Sequence, residues 1–212
     1  MCTSQSPRGG QQQRFLICTA NVRSLRTARR LEDFEQGVTR LDFHIIGLAE
    51  TRRPKKECIS LGSGYTLFNS GRADETPTHA GVGFYMSSLM HRHLIGVRYV
   101  SDRVIQAEFL INKRRLRVIQ VYAPTSAAPD DDYDQFLAEF ELARTKTKKG
   151  TTPEIIMGDF NAVIGKTHMT DVTCGNYGFG IRNARGETLL NHCEANGLLV
   201  ANTFFKKRES RK

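Results

Sequence analysis

The chain has 212 residues, 39% hydrophobic and 25% charged, which suits one soluble domain with a sizeable core and excludes an unstructured chain. No apolar run approaches the roughly 20 residues of a membrane helix, and the polar residues 1–13, without a secretory apolar stretch, predict a flexible N-terminal tail. The net charge of +9 favours a polyanionic partner such as nucleic acid, although a generally basic soluble surface would give the same value.

The first half of the chain alternates between strand and helix patterns. We predict strands at 15–20, 43–49, 65–68 and 81–86, and a helix at 31–41. The apolar face of that helix consists of Leu31, Phe34, Val38 and Leu41.

The second half begins with a predicted hairpin, in which strands 104–111 and 116–123 are joined by a turn at Asn112. A helix starts at Asp130, where a run of acids complements the helix dipole, and its apolar stripe is Tyr133, Phe136, Leu137 and Phe140. The remaining predicted elements are a strand at 155–157, a Gly-rich loop at 175–186, a helix at 188–196 with Leu189, Leu190 and Cys193 inward, a stop at Gly197, and a strand at 198–205.

Strands dominate this pattern, with helices between groups of them and no internal repeat or interdomain linker. The order favours an α/β sandwich with sheets in the middle and helices outside. We therefore predict one domain at 14–205, between the tail at 1–13 and a basic tail at 206–212.

The five cysteines, at positions 2, 18, 58, 174 and 193, are odd in number and never spaced as CxxC. A disulfide framework or a structural zinc site is not expected, and reduced, mostly buried thiols in an intracellular protein are favoured.

Polar residues stand at four predicted strand ends: Asn21, Glu50, Tyr122, and Asp159 with Asn161. If the strands share one rim, these side chains converge, and a carboxylate there would bind a hard cation such as Mg²⁺ through oxygen. Asp159 and Asn161, two residues apart, would point to one side if the extended backbone persists. Simpler explanations are a turn at 158–161 and a surface Glu50 paired with Arg52 or Arg53.

Five short motifs resemble, in their order, the endonuclease/exonuclease/phosphatase superfamily. They lie at residues 20–23 (ANVR), 48–51 (LAET), 81–84 (GVGF), 121–124 (VYAP) and 158–161 (GDFN). The branch most similar looks like the apurinic-type endonuclease domain of non-LTR retrotransposons, a group that includes craniofacial development protein 2-like sequences. The loop 182–186 and the run 198–205 also fit it, so the resemblance covers about residues 14–205.

The resemblance implies a four-layered α/β sandwich and phosphodiester hydrolysis that depends on Mg²⁺, with Mn²⁺ as a possible substitute. By position, Glu50 would hold the metal and Asn21 would support the metal or the phosphate. Asp159 would orient or deprotonate the attacking water, Asn161 would donate to the phosphoryl oxygen, and Tyr122 would reach the phosphate through its hydroxyl.

The same resemblance makes Arg23, Arg52 and Asn183 the candidates for contact with DNA. It also implies a further acidic residue and a Ser-Asp-His, neither of which these 212 residues contain, and neither His168 nor His192 stands in that context. We therefore expect a sandwich that is incomplete at the C-terminus, with an unpaired edge or an exposed core face, and weakened or lost catalysis.

Two functions from different classes remain open, together with a third within the superfamily. The first is a Mg²⁺-dependent endonuclease that nicks DNA, with a further C-terminal segment or a reverse transcriptase as partner in the parent element. The second is a non-catalytic, retrotransposon-derived fragment that binds nucleic acid or protein. The third is a small-molecule phosphatase. We expect an intracellular, nuclear location, whether the tail at 206–212 is a nuclear signal or only a solvated end.

The basic excess generates a prediction that holds for both of the first two functions. Binding of the chain to duplex DNA should weaken steeply as salt concentration rises, because each neutralised phosphate releases condensed counterions. Fluorescence anisotropy at several salt concentrations measures this. An affinity that does not change with salt would contradict nucleic-acid binding through the basic clusters.

Overall fold

The computed structural model describes residues 14–72, 79–144, 152–167 and 171–206, which form two β-sheets packed face to face. The five-stranded sheet has the order β1-β2-β5-β4-β3, and the four-stranded sheet the order β6-β7-β8-β9. Their bounds are β1 Ile17–Asn21, β2 Ile45–Ala49, β3 Glu57–Ser60, β4 Tyr65–Ser70, β5 Val82–Ser87, β6 Leu94–Tyr99, β7 Val104–Ile111, β8 Arg114–Tyr122 and β9 Glu154–Asp159. The pairs β1–β2 and β8–β9 are parallel, and the others are antiparallel.

Four helices lie beside the two sheets in the described ranges. They are α1 Ala28–Val38, the short α2 Ser88–His91, α3 Asp130–Ala143 and α4 Ala184–Ala195, followed by a 3₁₀ turn at Ala201–Thr203. Helix α1 packs on the five-stranded sheet and α3 on the four-stranded sheet. This arrangement confirms the predicted α/β sandwich. Within the described ranges, no helix is long and apolar enough to cross a bilayer.

Three apolar layers hold these elements together. Between the sheets, Ile45, Phe84 and Met86 of one sheet face side chains of the other, such as Ala107 and Phe109, and all are fully buried. A second layer lies under α1 and a third under α3. Each large side chain that is removed from water in these layers contributes about 1.5–3 kcal/mol, so packing dominates the stability of the fold.

Local signals account for several element ends. The hairpin turn at Asn112 and Lys113 is confirmed, and both residues have positive φ (48° and 65°), as a type I′ turn requires. The stop at Gly197 is also confirmed, with φ 65°. Helix α1 starts earlier than predicted because the Thr27 side chain accepts a hydrogen bond from the Arg30 amide and caps it. It ends at Val38, so the prediction that Leu41 faces inward is wrong, and Leu41 is 59% exposed.

The predicted strand at 198–205 is wrong. Only Val200 forms a bridge, with Cys174, and the chain then turns into the 3₁₀ helix. Thr203 explains the turn, because its hydroxyl donates to the Val200 carbonyl at 2.6 Å and accepts from the Gly175 amide at 2.7 Å. Strands β3 and β6 and helix α2 were not predicted. Their short runs mix apolar with polar or charged residues, so no clear period appears.

The predicted loop 175–186 is too long at its C-terminal end, because α4 already begins at Ala184. Asn183 is the reason, since its side chain accepts from the Gly186 amide and caps the helix. The predicted tail at 1–13, His168 and residues 207–212 of the predicted basic tail lie outside the described residues.

The topology brings four strand ends to one rim of the sandwich. Asn21 ends β1 opposite Ala49 of the parallel strand β2, and Tyr122 ends β8 opposite Asp159 of the parallel strand β9. The two pairs lie close together, because the Thr19 hydroxyl of β1 donates to the Gln120 side chain of β8 at 3.1 Å. In the described part of the chain, β1 and β9 each pair with one neighbour and form sheet edges beside this rim.

Two glycines provide a matched test of this packing. Gly158 has φ 144°, and a Cβ there would lie 2.0 Å from the Val121 carbonyl oxygen, whereas a Cβ at Gly37 of α1 would meet nothing within 4 Å. We expect Gly158→Ala to lower the free energy of unfolding by about 2 kcal/mol or more, and Gly37→Ala to raise it by about 0.5–1 kcal/mol. Urea unfolding of the two variants checks this. Equal stabilities would contradict the close approach of β9 to β8.

Candidate active site

The polar strand-end residues meet on one amide group at the rim. The Asn21 Nδ2 donates to Glu50 Oε1 at 2.8 Å and to Asp159 Oδ2 at 3.2 Å, so it joins carboxylates that belong to different sheets. The Tyr122 hydroxyl donates to the same Glu50 Oε1 at 3.1 Å. The expected convergence of these side chains is therefore confirmed, while their catalytic roles stay predictions.

The orientation of the Asn21 amide is set by the residues that follow it. Its Oδ1 accepts a hydrogen bond from the backbone N–H of Arg23 at 3.1 Å, which turns the NH₂ group toward the two carboxylates. Arg23 has φ 53° and Ser24 has φ 143°, so the chain bends sharply away from β1 at this point. The bend places the Arg23 N–H on the Asn21 Oδ1, so the Asn21 Nδ2 faces Glu50 and Asp159 and donates to both.

Glu50 stands on a backbone segment with two residues in the left-handed region, since φ is 57° at Glu50 and 53° at Arg52. Such residues cost about 1–3 kcal/mol each and persist only where their surroundings hold them. Thr51 between them is fully buried and provides that hold. Its amide donates to the Gly81 carbonyl at 3.0 Å, and its hydroxyl donates to Asn69 Oδ1 at 2.6 Å.

The electrostatics of the rim keep Glu50 ionised. Burial by itself raises the pKa of this carboxyl, but hydrogen bonds from Asn21, Arg52 and Tyr122 and the charge of Arg52 outweigh burial and lower the pKa below its usual value. Tyr122 shifts the other way. Its burial, with the negative charge of Glu50, raises the pKa of Tyr122 to about 12, so its hydroxyl stays protonated and able to donate.

Asp159 and Asn161 form a local turn at the end of β9. The backbone N–H of Asn161 donates to Asp159 Oδ1 at 3.0 Å, and Asn161 has φ 47°. The extended backbone therefore stops at Asp159, so the condition under which both side chains would point to one side is not met. The alternative, a turn at 158–161, is what the structure shows. The Asn161 side-chain amide donates to the Ala123 carbonyl at 2.7 Å, which leaves its second N–H for another acceptor.

The three residues predicted to contact DNA occupy different places. Arg52 lies at the rim, where its guanidinium donates to Glu50 Oε2 at 2.8 Å, and Arg23 is exposed beside Asn21. Asn183 instead caps α4, and its Oδ1 accepts from the amides of Val163 and Gly186 at 3.1 and 2.8 Å. Contact of any of the three with DNA stays a prediction.

Sequence patterns missed two residues that support the site. Arg103 lies with its guanidinium carbon 5.5 Å from the centre of the Tyr122 ring and donates to the Tyr122 carbonyl at 3.2 Å. Asn69 holds the buried Thr51. Neither residue belongs to a short motif with its partner, so no local signal could have identified them.

The donor set at the rim fits a hard divalent cation. Glu50 and Asp159 offer carboxylate oxygens, which Mg²⁺ and Mn²⁺ accept. Among the described residues, Glu50 Oε2 and both oxygens of Asp159 each accept one side-chain or backbone hydrogen bond, so each keeps a lone pair for a metal or water. No group of three acidic, imidazole or thiol side chains gathers within the described ranges, so such an ion would keep several waters.

Comparison with known proteins gives a consistent set of relatives. The chain is 28% identical over 197 residues to craniofacial development protein 2 of Tragulus javanicus, which covers 93% of this chain and 33% of that protein. The same name and identity are found in Bos taurus. The chain thus spans about a third of the length of the curated relatives it matches.

A solved structure, the endonuclease domain of TRAS1, a telomere-specific non-LTR retrotransposon, superposes with a TM-score of 0.54 at 16% identity and covers 86% of this chain and 72% of that one. This likeness shows a shared fold. Residues 18–182 match the sequence profile described as the Endonuclease/Exonuclease/phosphatase family. With more than half of its length matched, its two sheets flanked by helices and its polar rim, the chain belongs to the endonuclease/exonuclease/phosphatase family.

Proposed function

We propose that this chain is an endonuclease domain of the retrotransposon type, which binds DNA and hydrolyses its phosphodiester bonds with a divalent cation, Mg²⁺ or Mn²⁺. The observation that carries the proposal is the Asn21 amide held between Glu50 and Asp159, with the Tyr122 hydroxyl on the same Glu50 oxygen. Carboxylates, an amide and a protonated phenol at one rim match the needs of phosphoryl transfer, which are positioning and neutralisation of oxygen charge.

Each residue has a distinct part in this mechanism. Glu50 would hold the cation, which when bound supplies positive charge to a phosphoryl oxygen. Asp159 accepts a hydrogen bond from the attacking water and orients it, and the second N–H of Asn161 donates to the phosphate. The raised pKa of Tyr122 keeps its hydroxyl protonated at neutral and moderately alkaline pH. When substrate binds, this single O–H would turn from Glu50 Oε1 and donate a hydrogen bond to a phosphate oxygen. Asn21 keeps the two carboxylates together.

The basic residues beside the rim support DNA as the substrate. Arg23, Arg26, Arg29 and Arg30 are all exposed in the segment that leads from Asn21 into α1. The first turn of α1 contains no acid, so its arginines oppose the helix dipole and do not serve helix stability. A row of cations suits a long polyanion better than a small phosphate ester.

The relatives support the same substrate. The TRAS1 structure is an endonuclease domain, and a 3' phosphatase from Neisseria with a TM-score of 0.51 and 22% identity was solved with a product DNA hairpin. A nuclear location, which would give access to chromosomal DNA, is part of this proposal.

Turnover by this chain is proposed to be weak or absent. The 212 residues contain no Ser-Asp-His motif. The resemblance to the family implies that the histidine of this motif acts on the phosphate. The described His192 is engaged elsewhere, with its Nε2 2.9 Å from Glu141. The alternative function is therefore a fragment that binds DNA or a protein without cleaving it, and the nicking assay below distinguishes the two.

Nicking of supercoiled plasmid with Mg²⁺, Mn²⁺ or EDTA tests the catalytic proposal. We expect slow nicking that requires the cation. Its rate should fall about 100-fold or more in Glu50→Gln and Asp159→Asn, because each substitution removes the negative charge of a carboxylate but keeps the shape of the side chain. Asp42→Asn is the matched control, since Asp42 is an exposed acid before β2, at the opposite end of that strand from Glu50.

Nicking that persists in both site variants would refute the assignment of the site. DNA binding without nicking in either cation would favour the non-catalytic alternative. Phosphate release from a small monoester with no effect on DNA would favour a small-molecule phosphatase.

The state of Tyr122 has its own test. At about pH 10 an unperturbed tyrosine is half ionised, but the raised pKa of Tyr122 keeps its hydroxyl protonated there. We expect wild type and Tyr122→Phe to show the same tyrosinate absorbance at pH 10. An excess of half a tyrosinate in the wild type would show that the hydroxyl ionises normally and is a poor donor at that pH.

A further inference from the structure

Arg52 is already bound to the residue proposed to hold the cation. Its guanidinium Nη2 lies 2.8 Å from Glu50 Oε2, with the Arg52 side chain 37% exposed and that of Glu50 16% exposed. Three side chains donate hydrogen bonds to Glu50. Asn21 and Tyr122 are neutral and donate to Oε1, whereas the donor to Oε2 is the positively charged guanidinium of Arg52. An ion that approaches Oε2 must meet this guanidinium.

The Arg52 guanidinium is incompletely satisfied in this position. Its Nε is buried and has no hydrogen-bond partner among the described residues. Buried polar atoms without partners are uncommon in native proteins, and they often mark a place where an absent water, ion or ligand group belongs. The guanidinium is therefore poised to gain an acceptor.

Glu50 does not need Arg52 to keep its position. The backbone around it is held by the Thr51 amide on the Gly81 carbonyl, the Leu25 amide on the Thr51 carbonyl at 2.8 Å, and the Arg52 amide on the Ala80 carbonyl at 2.9 Å. The carboxylate is held through Oε1 by Asn21 and Tyr122. All of these bonds survive removal of the Arg52 side chain.

We propose that Arg52 is a displaceable counter-ion that competes with the divalent cation for Glu50, and that cation binding releases its guanidinium to an oxygen of the substrate phosphate. The inference rests on the proposed function and deepens it. Arg52 is a positioning residue that lowers cation affinity in the absence of DNA and raises DNA affinity once the cation is present. A planar guanidinium suits a phosphate acceptor, with which it can form two parallel hydrogen bonds.

Binding of Mn²⁺ to the full chain, followed by electron paramagnetic resonance without DNA, separates competition from simple support. We expect Arg52→Gln to bind Mn²⁺ about two- to fivefold more tightly than wild type, since the competing ion pair is partly exposed and worth little. Arg115→Gln is the matched control, because Arg115 also pairs with a carboxylate, Glu108 at 2.5 Å, but near the far end of β8. The control should bind Mn²⁺ like wild type.

A second measurement, the affinity for duplex DNA, tests whether the released Arg52 guanidinium binds phosphate. With saturating Mn²⁺, or with Ca²⁺ if Mn²⁺ supports cleavage, Arg52→Gln should bind duplex DNA about threefold or more weakly than Arg115→Gln, although both lose one positive charge. Thermal unfolding of the two variants verifies that both are folded.

Weaker or unchanged Mn²⁺ binding in Arg52→Gln would overturn the inference, because a residue that merely supports Glu50 would weaken the site when removed. Equal DNA affinity of the two variants would overturn the release of the guanidinium to phosphate. If wild type binds no Mn²⁺ at all, the proposed function fails and this inference fails with it.

Discussion

The Asn21 amide is the contact on which the candidate site depends. It donates to an acid at the end of β2 in its own sheet and to another at the end of β9 in the opposite sheet. Two carboxylates held this near each other repel unless donors or cations lie between them. The amide supplies two donors without adding charge, and its orientation is fixed by the Arg23 backbone. A cation bound there would meet carboxylate oxygens of Glu50 and Asp159 and would complete its coordination with water.

Strained backbone surrounds this contact on every side. Arg23, Glu50, Arg52 and Asn161 all have φ between 47° and 57°. None of them is glycine, and although asparagine adopts this region readily, the conformations of Arg23, Glu50 and Arg52 must be held by their neighbours. The buried pair of Thr51 and Asn69 does so for Glu50 and Arg52, and the Asp159 carboxylate does so for Asn161. The rigid sandwich thus maintains an arrangement that isolated loops would not keep.

Sequence patterns predicted the fold well where periodicity was long. The β7–β8 hairpin has nearly the expected bounds. Helix α3 begins at Asp130 as predicted, and Tyr133, Phe136 and Phe140 of its expected apolar stripe are buried. Strands β3 and β6 could not be predicted, because their stability comes from pairing with β4 and β7 and not from their own composition. At the rim, short motifs identified Asn21, Glu50, Tyr122 and Asp159. They could not identify Arg103, which depends on contact with Tyr122 across the fold. The turn at Asn161 is an alternative that the sequence leaves open, because Gly, Asp and Asn all favour turns.

The sequence separation of the central contact affects how the protein acquires its site. Asn21 and Asp159 are 138 positions apart, and nearly every described element of the sandwich lies between them in the chain. Closing so long a loop costs entropy that only docking of the two sheets repays. A folding intermediate with one formed sheet would possess one carboxylate and no joint ligand set. A cation held by both carboxylates would therefore bind only after a late step of folding, and it would in turn favour molecules whose sheets have docked.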